Sequence, residues 1–362
     1  MNPLELILAA RIASEGPLDI GTFMELALGH PEHGYYRNRD PLGRRGDFTT
    51  APEISQIFGE MIGLWAAELW RQMGSPKKLI LMECGPGRGT LMADALRAAK
   101  SVQGFIDSLE IHLLETSPVL REIQKHNLSD YAMHFHEKLP PDAGGVPVII
   151  IGNEFLDALP VRQLVKRGGN WAERAITYAP THGFTFSEKP FEEKIDDHDV
   201  FQAEEGDIVE ISPAQETFIL QTLKLLKAGG AALFIDYGHI KSAPGDTLQA
   251  VRDHKYAEIL KDIGEADLTA HVDFERLSQV ARKAGAWVYG PVTQSHFLLS
   301  LGLAQRAETL IRAAQSPHSP SAENSLQDIK SAVLRLSGPA GMGQLFKAIC
   351  ITHDRTLRPA GF

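Results

Sequence analysis

The chain is poor in cysteine, with only Cys84 and Cys350 among 362 residues. They stand far apart and outside any metal-ligand spacing, so neither a disulfide framework nor a metal site is indicated. Long apolar runs are missing as well. No stretch approaches the roughly 20 apolar residues of a membrane-spanning helix, which argues against membrane insertion. There is no basic excess either: 36 Lys and Arg face 46 Asp and Glu, a net charge of −10. General nucleic-acid binding needs clustered cations that outnumber the acids, so nucleic acid is not an expected partner; basic protein segments suit such a surface better. No organelle presequence is evident, because Leu4 to Ile12 is amphipathic and carries Glu5 beside Arg11. A reducing cytoplasm is the expected location.

What is present is an ordinary globular composition, 43% hydrophobic and 23% charged, long enough for one elaborated α/β domain with accessory regions. Apolar residues recur at helical spacing from Ile20 to Gly29 and from Ile54 to Met73. The loop between them is long, glycine-punctuated and aromatic, a combination uncommon without a function. After Pro76, strands alternate with helices, the sequence form of a parallel sheet with crossover helices. Candidate strands are Lys78 to Glu83, Ile111 to Glu115, Met133 to His136, Val148 to Gly152 and Ala231 to Asp236. Trp287 to Gly290 and Val292 to Ser300 read as a closing strand pair. Val161 to Phe186 alternates around Gly168-Gly169-Asn170 and reads as inserted antiparallel strands. The division expected is an N-terminal helical region with a substrate-side loop (1–75), a core (76–160 and 205–305), inserted strands (161–204) and a C-terminal helical extension (306–362).

The most informative stretch is Glu83-Cys84-Gly85-Pro86-Gly87-Arg88-Gly89-Thr90, between a buried strand and the helix Leu91 to Ala99. Alternate glycines let the backbone turn sharply and approach a ligand. A dinucleotide fingerprint needs Gly or Ala where Thr90 stands, and a phosphate loop needs a Lys-Ser/Thr pair that is absent. What remains resembles the acidic-x-Gly-x-Gly-x-Gly turn that holds S-adenosylmethionine. Glu83 is then a candidate acceptor for its charged methionine end, with Gly85, Gly87 and Gly89 making room. Glu115 ends the next strand, 32 residues on; its carboxylate suits a ribose diol, although an acid at a strand end is often a solvated helix cap.

The fourth strand runs into Gly152-Asn153-Glu154-Phe155-Leu156-Asp157-Ala158-Leu159-Pro160. Asn153 is a candidate cofactor contact. Glu154 and Asp157, three apart, would share a helical face and clasp a guanidinium; the bland alternative is a helix N-terminus decorated with acids. Arginine is a poor nucleophile because its charge is spread over three nitrogens, so rigid carboxylates would have to aim one of them. Two further clusters, Phe234 to His239 and Ala266 to Phe274, place polar groups beside apolar runs, and His271 is a candidate proton shuttle, though a lone histidine is more often structural. His134 and His136 share a strand face, with no third metal ligand in view.

Five motifs occur in order: Gly46-Asp47-Phe48-Thr49-Thr50-Ala51-Pro52-Glu53-Ile54-Ser55, the glycine turn, Asn153 to Pro160, Asp236-Tyr237-Gly238, and Asp267 to Phe274. Over nearly its whole length the chain resembles the MidA-like family, bacterial relatives of the mitochondrial protein arginine methyltransferase needed for respiratory complex I assembly. The resemblance implies a Rossmann-like class I methyltransferase with a mostly parallel seven-stranded sheet. It implies S-adenosylmethionine as donor, S-adenosylhomocysteine as product, and symmetric dimethylation of an arginine in a complex I subunit. It places Gly85, Gly87 and Glu115 in the cofactor motif and Glu154 and Asp157 among the acids after the fourth strand. A homodimer is compatible with this reading. Two other functions compete: methylation of a small molecule, which predicts a closed apolar pocket of about 300–1,000 Å³, and a non-catalytic assembly factor that binds cofactor for stability. A protein acceptor predicts instead a broad acidic groove built from the N-terminal region and the inserted strands.

Overall fold

The computed structural model describes residues 1–37, 40–43, 46–47, 49–193, 203–315 and 322–362. The stretch 315–325 is Ser/Pro-rich and reads from sequence as a connection; its residues 316–321 lie outside the described residues. The framework is one sheet whose strands are β1 (Leu79–Cys84), β2 (Leu109–Leu114), β3 (Met133–His136), β4 (Val148–Asn153), β5 (Gly230–His239), β6 (Trp287–Thr293) and β7 (Phe346–Thr352). Their order is β3-β2-β1-β4-β5-β7-β6, and the two-residue strand Val272–Asp273 adds an eighth member in parallel at the end of β5. β3, β2, β1, β4 and β5 run parallel. β7 runs against both β5 and β6. The continuous apolar runs read as doubly covered strands are so: every residue of β1 and β4 is buried. Val148 to Ile151 are at most 1% exposed, and a fully buried side chain of this kind contributes about 1.5–3 kcal/mol.

Helices cover both faces. The helix Gln56–Gln72 packs closely on the helix Thr90–Ala99 because Gly63 has no Cβ; one built there would sit 2.3 Å from the Ala95 carbonyl oxygen. The inserted strands form as expected, with Arg162–Arg167 turning through Gly168 and Gly169, both at positive φ, into Asn170–Ala179 and then Gly183–Pro190. Leu18–Asp19 and Ile208–Ile211 join them in a five-stranded sheet. A small sheet of Gln249–Arg252, Lys255–Ala257 and Asp267–Thr269 was not anticipated, its strands being too short to show a period.

Two expectations at the C-terminal end are corrected. Val292 to Ser300 is not a strand: β6 stops at Thr293, whose hydroxyl accepts the His296 amide at 3.2 Å and caps the helix Gln294–Ser300. The true partner of β6 is β7, inside the segment expected to be a helical extension. That segment does hold the helices Leu303–Ala314 and Ala322–Ser337, but its last strand is buried in the sheet at all seven positions.

This order reverses between β1 and β4. Chain leaving β1 crosses toward β2 and chain leaving β4 crosses toward β5, so a crevice opens at their carboxyl ends, where open α/β sheets bind ligands.

Candidate functional site

The glycine turn after β1 is built by backbone requirement. Gly85, Gly87 and Gly89 have φ of 65°, 53° and 78°, a region side-chain-bearing residues seldom enter. A Cβ at 85 would stand 2.9 Å from Phe155 Cδ2, and one at 87 would stand 2.5 Å from Leu42 Cδ1. Glu83, near the end of β1, is 3% exposed, and its Oε2 has no hydrogen-bond partner among the described residues. Burial, with a smaller contribution from the Glu115 charge, pushes this carboxyl up to about 8. A buried acid with one idle oxygen fits a cationic ligand group. Glu115 follows β2; its Oε1 accepts the Ser117 amide at 2.7 Å and its Oε2 the Gln124 side chain at 3.1 Å. Gln124 also donates to the Gly87 carbonyl at 2.6 Å, tying the diol-binding candidate to the glycine turn.

Glu83, Gly85, Gly87 and Glu115 line a cavity of about 610 Å³. Glu25, Glu53, Glu83, Glu115, Glu137 and Glu154 line it against Arg88 and Lys138, so it favours cations. The N-terminal loop covers the turn and is fastened to it. Arg88 donates to Asp40 Oδ2 at 2.8 Å and to the Leu42 carbonyl at 2.6 Å, and the Thr90 hydroxyl donates to Glu53 at 2.5 Å. The wall thus includes the N-terminal region, through Met24, Tyr36, Thr50 and Pro52. The inserted strands do not line it among the described residues, contrary to the groove expected from sequence.

The wall beside the glycine turn is the turn after β4, whose strand pairs with β1. Glu154 adopts φ 52°, and its amide donates to the Ile235 carbonyl at 2.8 Å. The next three amides, of Phe155, Leu156 and Asp157, all donate to Asp236 Oδ2 at 3.0, 2.8 and 3.2 Å, while Oδ1 accepts the Tyr237 amide at 3.0 Å. The helix expected over 154–157 is therefore a tight turn, because those N–H groups are committed to a side chain from β5. Glu154 and Asp157 nonetheless come together. Glu154 lines the cavity, its Oε1 accepting the Ala51 amide at 2.8 Å and Asn153 Nδ2 at 3.0 Å. Asp157, 5% exposed, stands behind it with the Tyr237 hydroxyl as partner. Buried Asp267 accepts the Tyr36 hydroxyl at 2.6 Å. Burial pushes Glu154 up to about 7. Burial and then the Asp157 charge push Asp267 up to about 7. Asp157 is raised by burial and by Glu154. Asp236 is raised by burial and then by Asp157 and Glu154, while the amides it accepts oppose that rise. An entering cation would relieve this crowding.

His271 does not join them. It lines a separate cavity of about 30 Å³ with Glu210, Ser212 and Asp273, its ring edge-on to Tyr237 at 5.4 Å. Burial, His239 and Lys347 lower its pKa. Asp236, Asp267, Tyr36, Arg88, Gln124 and Glu53 were not singled out as site residues by sequence. Asp236, Asp267 and Glu53 lie in recognised motifs, but nothing in their spacing tells that they meet. The edge of the sheet adds His112 to His134 and His136, with His136 Nε2 3.0 Å from His112 Nδ1. No group of three His, Cys, Asp or Glu side chains among the described residues is arranged to hold a metal ion.

Sheet order, glycine turn and the buried acids ending β1 and following β2 together define a class I S-adenosylmethionine-dependent methyltransferase. Residues 61–292 match a family described as S-adenosyl-L-methionine-dependent methyltransferases. The mitochondrial protein arginine methyltransferase NDUFAF7 of Xenopus tropicalis is 36% identical over 86% of this chain and 78% of its own. The Drosophila melanogaster homologue is 34% identical over 95% and 83%, and the Homo sapiens protein 32% over 99% and 85%. A COG1565 superfamily member from Burkholderia thailandensis, bound to S-adenosyl-homocysteine, superposes with a TM-score of 0.85 at 29% identity, covering 98% of this chain and 92% of that one. The chain belongs to the MidA-like family of S-adenosylmethionine-dependent methyltransferases. No helix among the described residues is long and apolar enough to cross a membrane.

Proposed function

We propose that the protein transfers methyl groups from S-adenosylmethionine to an arginine side chain of a protein partner. The observation that carries this reading is the pairing of Glu154, at the wall of the cavity that Glu83 and Glu115 also line, with Asp157 behind it. The relatives' names, protein arginine methyltransferase, support it. In this reading Glu83 Oε2 receives the ammonium of the donor, Glu115 the ribose hydroxyls, and the three glycines admit the chain between them. The donor supplies an electrophilic sulfonium methyl. Glu154, with the Asp157 charge behind it, holds the guanidinium and draws its positive charge away from the nitrogen to be methylated. Attack by that nitrogen leaves a neutral thioether and one excess proton, which the Glu154–Asp157 pair, raised toward neutrality, accepts. The loop at 40–43 and 49–53 keeps water from the sulfonium. His271 is given no proton-shuttle role, since it lines the other cavity.

The finer reading, carried by the family resemblance, takes a respiratory complex I subunit as acceptor; a homodimer is compatible with it. The test is incubation of the pure protein with methyl-labelled donor and lysate of its own host. Label recovered as methylarginine after acid hydrolysis of one protein band supports the proposal. Label confined to a small molecule favours the competing enzyme, and no label at all favours the non-catalytic one.

A further inference from the structure

Asn153 ends β4, opposite Ile235 of β5, and is 7% exposed. Its Nδ2 donates to Glu154 Oε1 at 3.0 Å. That contact decides which end of the carboxamide is which, because a carbonyl oxygen would not face a carboxylate oxygen at that distance. Oδ1 is thereby turned elsewhere, and it has no hydrogen-bond partner among the described residues. A buried acceptor left idle at a cavity wall is a standing cost that a ligand donor removes. Both Asn153 and Glu154 line the cavity. Glu154 accepts the Ala51 amide and Asn153 through Oε1, so Oε2 is the oxygen assigned to a ligand.

We propose that Asn153 is an acceptor-orienting residue: its Oδ1 receives an N–H of the guanidinium nitrogen that is methylated, while Glu154 holds the others. This rests on the arginine reading above and replaces the expectation that Asn153 contacts the cofactor. The chemistry favours the division of labour. A carboxylate on the reacting nitrogen would fix positive charge where a nucleophile is needed; a neutral carbonyl aims that nitrogen without doing so. The donor's ammonium has its own anionic partner in Glu83, whose Oε2 is idle. The left-handed turn at Glu154 brings the two adjacent side chains together, and Asp236 holds the amides that follow.

The experiment measures two affinities calorimetrically for wild type, Asn153→Ala, Asn153→Ser and Glu154→Gln: S-adenosylhomocysteine to the free protein, and butylguanidinium to the S-adenosylhomocysteine complex. Asn153→Ala is expected to keep S-adenosylhomocysteine affinity within about twofold and to weaken butylguanidinium by roughly tenfold or more, the loss of one hydrogen bond to a charged group. Asn153→Ser serves if the alanine protein melts without a cooperative transition. Unchanged butylguanidinium affinity in the Asn153 variants, with loss in Glu154→Gln, overturns the role of Asn153 and leaves the arginine reading standing. A tenfold loss of S-adenosylhomocysteine affinity in a cooperatively folded Asn153 variant returns the residue to the cofactor. Failure of wild type to bind butylguanidinium overturns both.

Discussion

The donor and acceptor sides of the cavity, here its donor end and acceptor end, are made of different material. At the donor end the shape comes from backbone: three left-handed glycines within five residues, a helix start behind them, and two acids that end β1 and follow β2. At the acceptor end it comes from side chains gathered over long distances, with Tyr36, the Glu154–Asp157 turn, Asp236 and Asp267 on four separate segments. The donor end is rigid and local. The acceptor end is held by like charges whose repulsion is tolerated only because each carboxyl also accepts hydrogen bonds, and that tension makes it responsive to a cation and to pH.

Breaking the donor end should give the largest effect. Gly87→Val must force a branched residue into φ 53° and drive its Cβ against Leu42. Calorimetry is expected to show S-adenosylhomocysteine affinity reduced by at least roughly 100-fold, a loss on the scale of strained backbone plus overpacking. The clash is with the covering loop rather than with open cavity, so Leu42→Ala should restore part of the affinity, leaving the backbone strain. Normal binding by Gly87→Val would remove the cofactor assignment.

The pH dependence sharpens the contrast. Burial raises Glu154 to about 7, so below that pH the free enzyme carries it protonated and unable to hold a guanidinium. kcat/KM for the acceptor should fall about tenfold per pH unit below 7 and level off above it. A rate flat from pH 5.5 to 8 would show that no carboxyl of the acceptor end must ionise. His271→Ala, by contrast, should change kcat by no more than about threefold, since even a positioned proton-transfer group contributes typically 10²–10⁴-fold and His271 faces the other cavity.

The smallest effect is on stability. Asp157 has a folded pKa above its unfolded value, so it binds its proton more tightly when folded. Its contribution is fully present below the unfolded pKa and is lost as pH rises through the raised folded value. Asp157→Asn removes that loss, and Tm at pH 8 should rise by about 1–2 °C, equivalent to about 1 kcal/mol, with little change at pH 4. A lower Tm at pH 8 would mean that the charge is compensated.

The same contrast explains what could be read from sequence. Glu83, the three glycines and Glu115 sit where strand ends and backbone demands put them, so the donor end was legible. Glu154 and Asp157 were legible as a pair, but their turn was mistaken for a helix because the acceptor of the Phe155, Leu156 and Asp157 amides, Asp236, lies about 80 residues on. His271 drew attention as a residue type and proved to face another cavity. β7 was missed because its pairing with β5 and β6 is visible only once the sheet exists; Phe346 to Thr352 carries the apolar content of a strand and follows the turn signal Gly338-Pro339-Ala340-Gly341, yet it lies in a segment read as helical throughout.

Glu154→Gln tests the account most directly, measured as methyl transfer to the acceptor protein beside S-adenosylhomocysteine affinity on the same preparation. The account predicts affinity within about twofold of wild type and transfer reduced by roughly 100-fold or more, the loss of a charge aimed at the transition state. Transfer near the wild-type rate would contradict it.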